Sequence, residues 1–419
     1  MTRLAINGGR PALSTMPARR NPVGPPEKMA ANRVLDSGTL SKFVGIWTDD
    51  FYGGPEVRDL ESEWSDVFGV SHSVSFNSWT SGLIAAVGAI GVEPGDEVIT
   101  TPYTMSACAT AILHWNAIPV FADIEPLFFC IDPDDVERKI SDRTRAILAV
   151  DIFGHPSDSA RLLEIGAKYG VAVLTDSAQA PGARDQQAFA GTLTDAGGFS
   201  MNFHKHISAG EGGILVSNRP EIAERAALVR NHGESVLGGP VPENEKNRFG
   251  YNLRMGEIEA AIIRSQLPRL NGLVSEIRDS AAFLAQKLGD LPGLRLPQTR
   301  PGVEHAYYAF PMVLESKELQ EKRARIAEAL RAEGVPGVNE GYVNLHRLPI
   351  FENRRVYGDS GIPWSLSERE IPPYSCPVAE LMFDRAELGL AFSDFLFDES
   401  DLDSVAQAFQ KVWAEINTL

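Results

Sequence analysis

From about residue 70 the apolar residues gather into short β-branched runs separated by longer stretches with helical spacing. HSVSFN (72–77) precedes an Ala-rich helix-like segment, and DEVITT (96–101) precedes another. IPVFADI, TRAILAVDIF and VAVLTDSA follow, each separated from the next by helical sequence. Strand–helix–strand alternation predicts a mostly parallel sheet between layers of helices. GGFSMNF (197–203) and GGILVSN (212–218) break the rhythm, since only eight residues lie between them. That spacing predicts a hairpin-like pair.

A long helical stretch begins near Gly256, with Pro268 as its expected kink or break. Leu270, Val274, Ile277, Ala281, Leu284 and Leu288 recur every three or four positions and mark one buried face. Beyond it come the strand-like AYYAFPMVL, the amphipathic KELQEKRARIAEALRAEG, a Pro-rich stretch at 336–377 and a final helix. In that helix Val405, Phe409, Val412 and Ile416 share a face. The change of pattern predicts a large α/β domain over 51–270 and a smaller α+β domain over 271–419. Residues 1–50 are Pro-rich with little periodicity, and read as an arm that packs on another surface.

Apolar residues make up 43% of the 419 positions and charged residues 23%, an ordinary balance for a soluble globular chain. The formal charge of −17 comes without a dense Lys/Arg cluster, which argues against a nucleic-acid partner. A small anion remains possible, because local amides and one or two cations suffice to bind it. No apolar run is long enough to span a bilayer, and the first residues carry no signal-peptide pattern. Cys108, Cys130 and Cys376 fit no zinc spacing, so no metal is expected. Their odd number argues for a reducing compartment, and a cytoplasmic protein is expected.

Three segments carry candidate chemistry. In GFSMNFHKHISAGEGG, Lys205 stands between a strand and a glycine-rich return. It is either a snorkelling surface lysine or an amine of lowered pKa poised to condense with an aldehyde. In VAVLTDSAQAPGA, Asp176 ends a central strand, where open α/β sheets place their ligands. It is either a helix N-cap or the partner of a cation such as a protonated pyridine nitrogen. Gln179, three residues on, can donate to a phenolate. In SFNSWTSGL, Ser78, Thr80 and Ser81 fall where a helix begins, which suits a phosphate as well as an ordinary cap. No Walker or dinucleotide fingerprint accompanies them. A ligand with a phosphate, a ring nitrogen, a phenolate and an aldehyde meets all three demands: pyridoxal 5'-phosphate (PLP).

With these motifs the sequence resembles the DegT/DnrJ/EryC1/StrS family, PLP-dependent sugar and cyclitol aminotransferases of fold type I. The similarity extends from LAINGGRPA to YVNLHRLPIF and includes EPGDEVITTPYT, TDSAQAPGA, FHKHISAGEGG, RNHG and GYNLRMGEIEAA. It implies Lys205 as the Schiff-base lysine, Asp176 beneath the ring nitrogen and Gln179 near the phenolate. Thr80, Ser81 and Ser200 would hold the phosphate, joined by Asn252 from a second subunit, so a homodimer with shared sites is implied. His232, in RNHG, reads as structural.

Two positions depart from the family pattern. Trp79 stands where a small residue is common, and either packs in the core or narrows the pocket. Met105 stands where an aromatic often covers the ring, with Tyr103 as the alternative cover. Arg230, Arg248 and Arg254 are candidates for a donor carboxylate or substrate phosphate, with solvated surface arginines as the alternative. Tyr342 and His346 are either acceptor-pocket or packing residues. The implied reaction is ping-pong transfer of an amino group from glutamate or glutamine to a nucleotide-linked keto sugar or a keto cyclitol, through the pyridoxamine form. Family members that dehydrate sugars carry histidine in place of the lysine, so Lys205 favours aminotransfer over that reaction, while Lys205, Asp176 and Gln179 together argue against a non-catalytic binding role. INGGRPA and YVNLHRLPIF lean towards the cyclitol and aminobenzoate branch.

Overall fold

The computed structural model describes residues 3–236 and 249–419. Its main sheet is built from β1 (His72–Phe76), β2 (Glu97–Thr100), β3 (Ile118–Phe121), β4 (Thr144–Val150), β5 (Ala172–Asp176), β8 (Ala196–Ser200) and β9 (Gly213–Ser217). Two short strands, β6 (Arg184–Asp185) and β7 (Ala188–Phe189), form a small separate sheet with β11 (Val303–Glu304). The main sheet runs β1-β9-β8-β5-β4-β2-β3. Its middle is parallel, while β9 lies antiparallel between β8 and β1. The eight-residue spacing thus marks a true antiparallel pair.

The residues of β2 and β3 are buried on both faces, as parallel strands covered by two helical layers must be, and those of the antiparallel β9 are buried as well. Helices α3 (Trp79–Ala89), α4 (Ala107–His114), α5 (Pro133–Lys139), α6 (Ser159–Tyr169) and α7 (Pro220–Arg230) supply those layers. From β2 the chain steps outward to β3, then returns to the other side as β4, β5 and β8. The strand order therefore reverses beside β2 and β4. A crevice opens there at the carboxyl ends, the usual place for a ligand in such sheets.

Helix α8 (Glu257–Gln266) gives way to a 3-10 turn over Leu267–Arg269, and α9 (Leu270–Leu288) continues from it. Pro268 is the break, since its ring nitrogen cannot donate to the preceding turn. All six positions expected on the buried face of α9 are buried. A second sheet follows, ordered β10 (Leu294–Arg295), β12 (Phe310–Leu314), β14 (Glu387–Leu390) and β13 (Val338–Asn339). On the final helix, Glu399–Ala414, Val405, Phe409 and Val412 are buried, and Ile416 lies just past its end, half-buried.

The first fifty residues hold more order than their sequence pattern suggests. They include α1 (Pro25–Ser37), whose Ala30 and Val34 pack on Ala261 of α8. Two buried aliphatic positions are too narrow a stripe to register as periodicity. Leu4 and Leu13 join the core of the second sheet. Glu333, fully buried, ties the ends together: it accepts from the Ala5 and Ala12 amides at 2.7 and 3.0 Å and from Lys411 Nζ at 2.8 Å. A buried carboxylate holding three donors is costly to alter. Glu333→Gln is expected to lower unfolding free energy by about 2 kcal/mol, the order of a hydrogen bond to a charged group. Urea denaturation checks this, and an unchanged midpoint would count against the clamp.

Candidate active site

A cavity of about 200 Å³ opens at the carboxyl ends of β4, β5 and β8. Val150 of β4, Asp176 of β5 and Ser200 of β8 line it, together with Thr104 and Met105 from the loop after β2. Thr80 from the first turn of α3, Gln179, Lys205 and Tyr342 complete the wall around one space. Eight residues singled out in the sequence therefore converge: Ser78, Thr80, Met105, Asp176, Gln179, Ser200, Lys205 and Tyr342.

Lys205 follows β8 in a tight turn, its amide bonded to the Asn202 carbonyl at 2.9 Å. The return to β9 passes Gly210 and Gly212, with φ of +90° and +145°, backbone states that side chains resist. The Lys205 ammonium stands 4.4 Å from the centre of the Tyr308 ring. Loss of water pulls its pKa down to about 8, partly opposed by the negative charges of Asp176 and Asp394. Such an amine is a nucleophile near neutral pH, unlike an ordinary surface lysine.

Asp176 ends β5 with no helix after it, so the helix-cap alternative does not apply. Its Oδ1 accepts from Trp79 Nε1 at 2.7 Å and from the Ala178 amide at 3.0 Å. Its Oδ2 accepts from the Cys108 thiol at 3.1 Å. All three donors are neutral. A carboxylate buried to 7% exposure among neutral donors calls for a cationic ligand. Gln179 is held by both ends: Oε1 accepts from the Phe153 amide at 2.6 Å, and Nε2 donates to the Tyr342 hydroxyl at 2.8 Å. The Phe153 amide fixes which end is oxygen, so the nitrogen faces the cavity with a second hydrogen to give.

Not every expected residue lines this cavity. Ser81 turns inward, donating to Asn77 Oδ1 at 2.7 Å, while Ser78 caps α3 by accepting from the Ser81 amide. Arg230 is fully buried away from the cavity, paired with Glu61 at 2.6 Å and bonded to the Ser75 carbonyl. It is a structural cation rather than a solvated or substrate-binding one. His346 is buried against Glu380 at 3.0 Å and does not line the cavity. Arg254 donates to Asn231 Oδ1 at 2.8 Å, also outside the cavity wall. Asn252 is exposed and bridged to Asn231, away from this chain's own cavity. Arg248 lies outside the described residues.

Of the two candidate ring covers, Met105 lines the cavity. Tyr103 is fully buried with its hydroxyl on Glu387. Trp79 both packs in the core and lines the cavity. Asn202 and Glu211, which also line the cavity, and Cys108, which touches Asp176, are not among the residues expected from the sequence. Glu211 had a visible signal in its place within GEGG, two residues after Ala209. Cys108 had only its position at the start of α4, beside the point where strand order reverses. Among the described residues no cluster of His, Cys, Asp and Glu is placed to hold a metal.

The residues present fit PLP: a desolvated amine, a buried carboxylate whose hydrogen-bond donors are all neutral, a side-chain amide at the cavity wall and hydroxyls at a helix start. Fold and site together define a PLP-dependent aminotransferase. Residues 45–375 match the profile of the DegT/DnrJ/EryC1/StrS aminotransferase family, and the chain belongs to that family. It is 33% identical to the L-glutamine:2-deoxy-scyllo-inosose aminotransferase of Streptomyces paromomycinus, over 98% of both chains. It is 33% identical to the UDP-N-acetyl-3-dehydro-alpha-D-glucosamine 3-aminotransferase of Acidithiobacillus ferrooxidans, over 74% of this chain and 82% of that one. The solved aminotransferase TlmJ from Streptoalloteichus hindustanus superposes with a TM-score of 0.80 at 26% identity, covering 96% of this chain and all of that one, 100%.

The lowered Lys205 value gives a pH test on the cofactor-free protein. Cyanate carbamylates only the neutral amine, so the rate at Lys205 should rise through a midpoint near 8. The Asp176 charge helps hold the proton on Lys205, so Asp176→Asn should move that midpoint lower. Peptide mass mapping follows the rate. A midpoint near the ordinary lysine value of about 10.4 would refute the desolvated amine.

Proposed function

We propose that the chain transfers an amino group from glutamine or glutamate to the ketone of a cyclitol, with Lys205 and Asp176 at the centre of the site. One observation carries the reading: Lys205, Asp176, Gln179, Thr80 and Ser200 face one crevice where the strand order reverses. When bound, PLP supplies an electron sink for the negative charge left on carbon. Asp176 supplies the counter-charge for the ring nitrogen. Gln179 Nε2 donates towards the ring oxygen, with Tyr342 and Phe153 holding its amide plane. Thr80 and Ser200 offer hydroxyls to the phosphate. Lys205 Nζ takes the proton from the donor's α-carbon, and in the second half-reaction returns a proton to the acceptor carbon.

Length of similarity supports the cyclitol over a nucleotide-linked sugar. The inosose aminotransferase matches over 98% of this chain, whereas the UDP-sugar aminotransferase matches over 74%. The nucleotide-linked keto sugar stands as the second reading, favoured by that same shorter but equally identical match. We further propose a homodimer in which Asn252 of one subunit serves the other's phosphate. Its exposure and its distance in the fold from its own cavity wall support that role. Three buried free cysteines support a reducing, cytoplasmic location. Among the described residues no helix is long and apolar enough to cross a membrane.

Two measurements test the proposal. Mixing the pyridoxamine-loaded protein with a panel of inososes and nucleotide-linked keto sugars should return the aldehyde spectrum with an inosose. Restoration by nucleotide-linked sugars alone would transfer the assignment to them. Lys205→Ala should lower turnover by at least about a hundredfold, the lower range for a general acid–base group. Full turnover in that variant would refute the assignment.

A further inference from the structure

Trp79 is the first residue of α3, and its indole reaches under the cavity to the carboxylate of Asp176 at 2.7 Å. Its position is cleared by missing side chains. A Cβ on Gly82 would lie 2.5 and 2.6 Å from two atoms of this ring. A Cβ on Gly198, which pairs with Asp176 across the sheet, would lie 2.1 Å from its Cη2. Gly198 would also meet the Ile214 carbonyl at 2.4 Å, so Gly82 is the cleaner mark of space kept for the indole.

The hydrogen bonds on Asp176 are unequal. Each carboxylate oxygen offers two lone pairs. Oδ1 receives Trp79 Nε1 and the Ala178 amide, and is filled. Oδ2 receives only the Cys108 thiol, a weak donor, and keeps room for one more. We propose that Trp79 is a positioning residue that saturates Asp176 Oδ1 and so assigns Oδ2 to the cofactor's ring nitrogen. A small residue at this position would leave Oδ1 with the Ala178 amide alone and the carboxylate freer to turn. The inference rests on PLP as the ligand of this site and goes beyond it, to the atom of Asp176 that the ring meets.

Trp79→Phe keeps an aromatic ring and deletes the N–H. PLP binding to the cofactor-free protein, measured by equilibrium dialysis, should weaken by at least about tenfold, the lower end of one hydrogen bond to a charged group. In the loaded enzyme kcat should fall while KM for the amino donor holds, because the donor does not touch the indole. Thermal melting of the cofactor-free variant checks that it folds. Should Trp79→Phe fail to fold, Gly82→Ala retains the N–H but crowds the ring, and should weaken PLP binding in the same direction. Wild-type affinity and wild-type kcat in a folded Trp79→Phe protein would overturn the inference. Absence of PLP binding by the wild type would instead overturn the functional reading on which it rests.

Discussion

The structure depends on keeping one amine and one carboxylate out of water at the end of a parallel sheet. Lys205 loses solvation in the turn after β8, and its pKa falls to about 8. Asp176 is buried at the end of β5 and receives only neutral donors. Burying either alone is unfavourable. Their joint placement makes sense as half of a site whose remaining charges come with the ligand. Sheet order explains why it lies there: the reversal beside β2 and β4 leaves an uncovered crevice, and β4, β5 and β8 each deliver their last residue to it.

The second sheet completes the cavity rather than standing apart from it. Tyr342, from the segment after β13, holds the Gln179 side chain at 2.8 Å. Burial lifts the Tyr342 hydroxyl to about 12, so it stays protonated and neutral. Nearby, Tyr103 from the loop after β2 bonds to Glu387 of β14, whose carboxyl burial raises to about 7. Two tyrosines thus fasten the loops of one sheet to residues of the other. Desolvation also holds His204 and His206 at about 4, leaving both flanking imidazoles neutral beside the lysine amine. Lys205 therefore has no cationic neighbour within its own turn.

Local pattern was legible in the sequence wherever burial follows period. Beta-branched runs gave the parallel strands, a short spacing gave the β8–β9 pair, and Pro268 gave the break before α9. The site was legible as far as its residues belong to strand ends and helix starts. Pairings between distant segments were not. Arg230 meets Glu61 across 169 positions, and His346 meets Glu380 from a separate turn. Both side chains are already held by carboxylates of the fold. Ser81 was lost for a smaller reason: one residue along a helix turns a side chain by about 100°, from the cavity towards Asn77. Trp79 was visible as an oddity, but its role required the third dimension.

Borohydride trapping tests directly the proposed role of Lys205 as the amine that holds the cofactor. Reducing the PLP-loaded protein with borohydride converts the imine to a stable amine and fixes the label where it formed. Peptide mapping by mass spectrometry should find one phosphopyridoxyl group, on the peptide carrying Lys205. A label on another lysine, or no label in protein that binds PLP, would contradict the account.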